Sequence, residues 1–426
     1  MKDLLLITPP FTQLNTPYPA TAYLKGFLNT KNISSYQIDL GIEVILEIFS
    51  KKGVTQIFNV KPENLSENTQ RIFALKEEYT KTIDEVIAFL QNKKPTLARQ
   101  ICSMNFLPEA SRFNQLDDME YAFGNMGLQD KAKHLATLYL EDLSDYIVEN
   151  IDENFGFSRY AERLGRSANS FDELYEKLQS DKTFVDNFTL EILDKKLLET
   201  QPKLVCFSVP FPGNLYSAFR CAQYIKNHYP NIKTAFGGGF ANTELRDLKD
   251  KRVFEFFDFI TLDDGELPIE LLFENICHSE QSEESLFKRT FLLENGEVVY
   301  KNNSERHDYK QAEIGTPDYT DLPLDQYISV IEIANPMHSL WSDGRWNKLT
   351  MAHGCYWGKC TFCDISLDYI KIYEPIAAKI LVDRMEELIE KTGENGFHFV
   401  DEAAPPALMR EVALEILRRK LVVTWW

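Results

Sequence analysis

Apolar positions along the chain follow two rhythms, one of short unbroken runs and one of helical spacing. Lys2 to Ile7 carries a short apolar run that stops at the breaker Thr8-Pro9-Pro10. Such a run predicts a buried strand followed by a loop at its carboxyl end. Ala20 to Leu28 has helical spacing, with Ala20, Leu24 and Leu28 on one face. Ser35 to Leu40 reads as a second strand, with Asp39 near its end. Strand, loop, helix and strand within about forty residues make a βαβ opening.

From about Ile42 to Thr200 the segments become long, acidic and helical in period, as in Lys131–Ile151 and Phe171–Leu178. This predicts a helical insertion whose Asp and Glu runs are solvated helix faces. The strand–helix rhythm resumes at Lys203–Pro210, followed by a loop over Phe211–Asn214 and a helix over Leu215–His228. Lys233–Phe236 is the next strand and runs into Gly237-Gly238-Gly239. Asp258–Leu262 is another, closed by Asp263-Asp264-Gly265-Glu266 before a helix over Pro268–Ile276. Strands joined by short loops and helices call for a parallel, doubly wound sheet with ligands at the carboxyl ends of its strands. His278–Ser285 is polar and predicts a loop. Phe287–Tyr300 predicts a hairpin turning at Glu294-Asn295-Gly296, and Asn302–Tyr327 a linker. A second βα series follows: a strand at Lys348–Met351, a loop over His353–Asp364 and a helix at Ala377–Glu390. It continues with a strand at Phe397–Val400, a helix at Ala407–Lys420 and a strand at Leu421–Trp426.

Composition narrows the class. The 426 residues contain 46 basic and 65 acidic side chains, a formal net charge of -19. That excess opposes attraction to nucleic acid or anionic lipid, and no long Lys/Arg run offsets it. No apolar stretch of about eighteen residues is present, and the N-terminus lacks a signal-peptide pattern. The expectation is a cytoplasmic protein without nucleic-acid or membrane partners. Seven cysteines agree with a reducing compartment: four are scattered and three are clustered.

The cluster is His353-Gly-Cys355-Tyr-Trp-Gly-Lys-Cys360-Thr-Phe-Cys363-Asp364, a C-x4-C-x2-C spacing after a predicted strand. Three thiolates on one loop can hold three irons of a 4Fe–4S cube and leave the fourth open, whereas four-cysteine ligation serves electron transfer. Two other sites share these residues. Zinc could take His353 with the three cysteines, although zinc modules usually pair two C-x2-C knuckles. A plant-type 2Fe–2S loop has the same spacing but needs a fourth cysteine downstream, and none follows Cys363.

The stretch GCYWGKCTFCDI resembles the cluster loop of radical S-adenosylmethionine (radical SAM) enzymes, most closely the subgroup with an N-terminal cobalamin-binding domain. Most of that superfamily uses C-x3-C-x2-C, so the extra residue is a departure, one that occurs in the cobalamin-dependent branch. The resemblance implies that Cys355, Cys360 and Cys363 hold the cluster and that its open iron chelates S-adenosylmethionine, whose reductive cleavage yields a 5′-deoxyadenosyl radical. It implies that Phe362 lies near the adenine, and that Asp401 or Glu402 receives the amino group. The plainer account of that acidic pair is a strand end facing water. More weakly, the resemblance extends over residues 1–45 and 200–280. There Thr8-Pro9-Pro10, Ser208, Gly237-Gly238-Gly239 and the loop containing Gly265 and Glu266 stand where cobalamin-binding radical enzymes keep similar loops. Glycines at a strand end let backbone approach a bulky ligand. A serine at another strand end can donate to the cobalamin nucleotide tail or lower face.

The glycine triplet precedes Phe240-Ala241-Asn242, which excludes a P-loop, and it does not match GxGxxG. A tight strand-to-helix turn accounts for it equally well before the resemblance is considered. No histidine lies in residues 1–133, so the Asp-x-His-x-x-Gly element of other cobalamin folds is missing, as is usual in the radical branch. The long insertion is a second departure, placed where it could cover a ligand face.

The resulting expectation is an α/β protein with a Rossmann-like cobalamin-binding domain (1–45 and 200–280) interrupted by a helical insertion (46–199). A hairpin and linker (281–345) and the first part of a radical SAM (βα) partial barrel (346–426) would follow. The function implied is cobalamin-dependent radical chemistry, methyl transfer or rearrangement, on a small-molecule or peptide substrate, with an electron donor such as flavodoxin or ferredoxin. The alternative is a non-catalytic fragment or subunit of such an enzyme, or a zinc-binding module. Ending at LVVTWW leaves two tryptophans and a sheet edge uncovered, which predicts the front part of a longer or split polypeptide; a C-terminal edge strand is the plainer account.

Overall fold

The computed structural model describes residues 2–60, 66–103, 105–115, 127–166, 170–278, 285–333, 346–361, 363, 364, 366–401 and 403–425. Most of the polar stretch read as a loop, residues 279–284, and Trp426 lie outside them.

Strand β1 (Leu4–Thr8) is buried along its whole length, as an unbroken apolar run requires when both sheet faces are covered. Helix α1 (Ala20–Thr30) leads to β2 (Ser35–Asp39), which pairs parallel with β1. Asp39 then caps the next helix: its Oδ1 accepts from the amides of Gly41 at 2.9 Å and Ile42 at 3.3 Å. The helical insertion therefore begins two residues earlier than its periodicity predicts. It comprises α2 (Leu40–Ile48), α3 (Lys51–Asn59), α4 (Glu67–Ala74), α5 (Lys76–Leu90) and α6 (Ala98–Cys102). It continues with α7 (Gly127–Asn150), α8 (Phe171–Gln179) and α9 (Phe184–Thr200).

The βα rhythm resumes with β3 (Leu204–Ser208), α10 (Pro212–His228), β4 (Lys233–Gly237), α11 (Gly239–Glu244), β5 (Phe259–Thr261) and α12 (Glu266–His278). Pro212 starts α10 inside the stretch predicted as a loop. Its fixed φ and missing N–H suit the first helical turn. The hairpin β6 (Thr290–Glu294) and β7 (Glu297–Lys301) turns at Asn295 and Gly296, both at positive φ, and β6 pairs antiparallel with β5. Among the described residues the sheet thus has seven strands in the order β2-β1-β3-β4-β5-β6-β7, the first five parallel. The order 2-1-3-4-5 is a common doubly wound arrangement whose direction reverses between β1 and β3.

The two sheet faces have separate cores. Leu5, Ile7, Val205, Phe207 and Phe236 point into one large core shared with the insertion helices. Leu4, Leu6, Leu204, Cys206 and Ala235 point the other way, against Phe27 and Leu28 of α1 and Leu272 of α12. The insertion therefore packs on the face opposite α1 and α12. Its acidic positions are largely solvated, but its apolar stripes complete the core of the sheet.

Residues 302–327, read as a linker, are bound along α1. The Asp318 amide donates to the Ala22 carbonyl at 2.9 Å, Lys25 pairs with Asp321, and Gly26 meets the Thr316 carbonyl so closely that a Cβ there would lie 2.1 Å from its oxygen. The second βα series has β8 (Trp346–Leu349), the short antiparallel pair β9 (Ala352–His353) and β10 (Glu374–Pro375), and α13 (Asp368–Lys371) between them. Then come α14 (Ala378–Thr392), β11 (Gly396–Phe399), α15 (Pro406–Arg419) and β12 (Thr424–Trp425). Strands β12-β11-β8 form a parallel sheet. Its last strand is shorter than the apolar run Leu421–Trp426 predicts. Leu349, Phe397 and Phe399 bury against Leu381 and Met385 of α14 and Val412 of α15. No helix among the described residues is long and apolar enough to cross a membrane.

Candidate functional site

A cleft of about 230 Å³ opens at the carboxyl ends of β3, β4 and β5, between α1 and α12. It lies beside the reversal in strand order, where open α/β sheets bind ligands. Its inner wall is apolar, with Leu6, Leu24, Cys206 and Ile269; Ser208, Thr261, Tyr23 and Glu266 bring polar atoms to it. Ala20 and Leu24, expected with Leu28 on one face of α1, are half-buried and line this cleft, while the linker takes the neighbouring face.

Main-chain sterics shape the floor. Ser208 and Gly237 stand side by side as the paired last residues of β3 and β4. A Cβ on Gly237 would lie 2.7 Å from Thr261 Oγ1. On Gly238, whose φ is +102°, it would lie 2.8 Å from the Val209 carbonyl oxygen. Gly239 opens α11, packs on Pro210 and does not line the cleft. Gly265 approaches Leu24 on α1, and Glu266 follows at the start of α12. Burial, with the Asp264 carboxylate beside it, pushes the Glu266 carboxyl up to about 7, so it is partly protonated near neutrality. Burial alone pushes the Cys206 thiol up to about 12, which keeps it an unreactive wall.

The cysteine loop springs from the second sheet. Its base is closed by the β9–β10 pair and by Gly354, at φ +73°, where a Cβ would fall 1.6 Å from the Ile372 carbonyl oxygen. Only glycine fits there. Cys355 is half-buried, Cys360 and Cys363 are exposed, and all three are free thiols. Around them Tyr356, Trp357, Ile372 and Tyr373 are exposed, and Lys359 lies over the Trp357 ring. Among the described residues no three His, Cys, Asp or Glu side chains are gathered tightly enough to hold a metal ion. The donor set still suits a thiolate cluster, being three unpaired and accessible thiols on one loop. His353 directs its Nε2 to Asp264 Oδ1 at 3.1 Å, and this bond raises its pKa.

The remaining residues expected at the site divide. Asp401 is half-buried: its two oxygens accept from the amides of Met351 at 2.7 Å and Ala352 at 2.9 Å, and burial raises its pKa. It braces the turn between β8 and β9, just ahead of the cysteines. Phe362 and Glu402 lie outside the described residues. Sequence reasoning missed Tyr23 and the pairing of His353 with Asp264, and no local pattern marks either. It also missed Lys348, which is buried and held at about 8 by desolvation, with the Asp39 carboxylate opposing that shift. A lysine inside a strand of mixed polarity gave no sign of burial.

No protein-family model matches the chain, and no curated protein matches it. Among solved structures it is similar to a radical S-adenosylmethionine methyltransferase, TsrM, from Kitasatospora setae, with cobalamin and a [4Fe-4S] cluster bound. The identity is 12% and the TM-score 0.41, over 99% of this chain and 52% of that one. The chain spans about half the length of that enzyme. A likeness so remote fixes neither fold nor function.

Proposed function

We propose that this chain is a radical SAM protein of the cobalamin-binding kind, with Cys355, Cys360 and Cys363 as the ligands of a 4Fe–4S cluster and the cleft at the strand reversal as part of a cobalamin site. The observation that carries the proposal is the set of three free thiols at C-x4-C-x2-C spacing on a loop whose base is fixed by Gly354 and β9–β10. When bound, a three-thiolate 4Fe–4S cluster supplies electrons and one open iron for S-adenosylmethionine.

The chain's own residues would act as follows. Asp401 holds the Met351 and Ala352 amides and so aims the strand end that leads to Cys355. Trp357 and Tyr356, both exposed, lie next to Cys355 in the loop. In the cleft, Gly237 and Gly238 keep the floor low and Ser208 offers a hydroxyl. Glu266, being partly protonated, can donate or accept a hydrogen bond. The cleft is smaller than the roughly 300–1,000 Å³ that encloses a drug-sized ligand, so it suits an appended heterocycle, such as the nucleotide tail, and not a whole macrocycle.

Anaerobic reconstitution with iron and sulfide tests the cluster. About four irons and four sulfides per chain are expected, with a reduced 4Fe–4S paramagnetic spectrum that changes when S-adenosylmethionine is added. Each single change Cys355→Ala, Cys360→Ala or Cys363→Ala should abolish that signal. Zinc bound in place of iron, or a cluster indifferent to all three changes, would overturn the assignment.

A further inference from the structure

Two side chains that wall the cleft also hold the cysteine loop. The Tyr23 hydroxyl oxygen accepts from the Thr350 amide at 2.8 Å and from the Thr350 hydroxyl at 2.9 Å. Asp264 holds His353, two residues before Cys355, at 3.1 Å. A third wall residue, Asp263, pairs with Arg246, whose guanidinium lies 5.3 Å from the centre of the Tyr369 ring. Thr350 and His353 belong to the arm entering the loop, and Tyr369 to the arm leaving it. Both arms are therefore tied to groups that a ligand in the cleft would touch.

We infer that Tyr23, Asp263 and Asp264 are positioning residues that couple the cleft to the cysteine loop, so that a cobalamin whose nucleotide tail enters the cleft and a cluster on the loop each strengthen the other's binding. The inference rests on the function proposed above. A ligand packed against Tyr23 and Asp264 restricts their rotamers, and with them the two arms, so the loop loses less freedom when it closes on iron. Binding linkage makes the effect reciprocal.

The full chain is titrated with hydroxocobalamin, followed by visible absorption, once cluster-free and once reconstituted. The reconstituted form should bind at least about fivefold more tightly, the lower end of ordinary couplings. The pair Thr350→Val with His353→Leu lies outside the cleft. It should bring the ratio of the two affinities near one. In the cluster-free wild-type chain, hydroxocobalamin should slow amide hydrogen exchange across residues 350–373, a readout that needs no variant and no activity. Equal affinity in both forms, or unchanged exchange in the loop on binding, overturns the coupling and leaves the cleft assignment standing. Absence of any corrin spectral change overturns the cleft assignment, and the coupling with it.

Discussion

Around the cleft the main chain leaves little freedom. Gly238 sits at a φ of +102° against the Val209 carbonyl, Gly237 presses on Thr261, and the strands behind them are buried on both faces. The cysteine loop is held differently. Its base is as tightly set, by Gly354 and the β9–β10 pair, yet beyond the base its thiols are open to water and are not gathered as a metal group among the described residues. One region has its shape set by packed backbone; the other has a fixed foundation and accessible thiols beyond it. The difference follows from what stabilises each. Sheet cores bury apolar area, whereas three thiolates repel one another until a cation lies between them.

The comparison can be broken most decisively at the loop's base. Gly354→Ala places a Cβ where the Ile372 carbonyl stands, and iron retained after reconstitution should fall to near zero. Corrin affinity should drop only to that of the cluster-free protein, as measured by metal analysis and absorption titration on the same sample. If the variant keeps its iron, the loop's foundation is not what sets the cluster. On the other side, Gly238→Ala forces a side chain into a glycine-only conformation, a strain of about 3 kcal/mol. Urea unfolding should report that loss together with weakened corrin binding, while iron content in the folded fraction stays at the wild-type value.

A smaller effect separates the two regions by pH. The Glu266 carboxyl is raised from its ordinary value of 4.5 to about 7 in the folded state. Between those values the folded chain holds a proton that the unfolded chain has released. Its stabilising contribution is therefore complete below about pH 4.5 and is lost as pH rises to about 7. Glu266→Gln should remove that decline, so the variant's stability, relative to wild type, climbs across this window and levels above it. Unfolding midpoints measured from pH 5 to 8 test this. A parallel pair of profiles would mean that Glu266 titrates normally and that the cleft is wetter than its walls suggest.

Much of this fold could be read along the chain. The unbroken apolar runs of β1 and β3 are legible because a strand covered on both faces has no polar positions to spare. The Asn295-Gly296 turn is legible because only such pairs accept two positive φ values. Ser208, Gly237, Gly238, Gly265 and Glu266, strand-end positions legible in the sequence, all line one cleft. Gly239, the third of the triplet, belongs to a helix start instead. For α1, periodicity shows which residues share a stripe but not what covers it. Here the linker covers the Gly26 side and leaves Leu24 to the cleft. The insertion's relation to the cleft was equally hidden, since helix amphipathicity does not say which face of a sheet it will meet.

What the sequence determined by itself is local: strand runs, turn residues, and three cysteines at a spacing that few ligands satisfy. Each depends on neighbours within a few residues, whose geometry the backbone already restricts. The tertiary structure alone decided that Tyr23 would meet Thr350, 327 positions away, and that Asp264 would meet His353. Those bonds depend on elements from the two sheets meeting, a matter of packed cores and the closing of long stretches of chain. No residue in either partner's neighbourhood records the other.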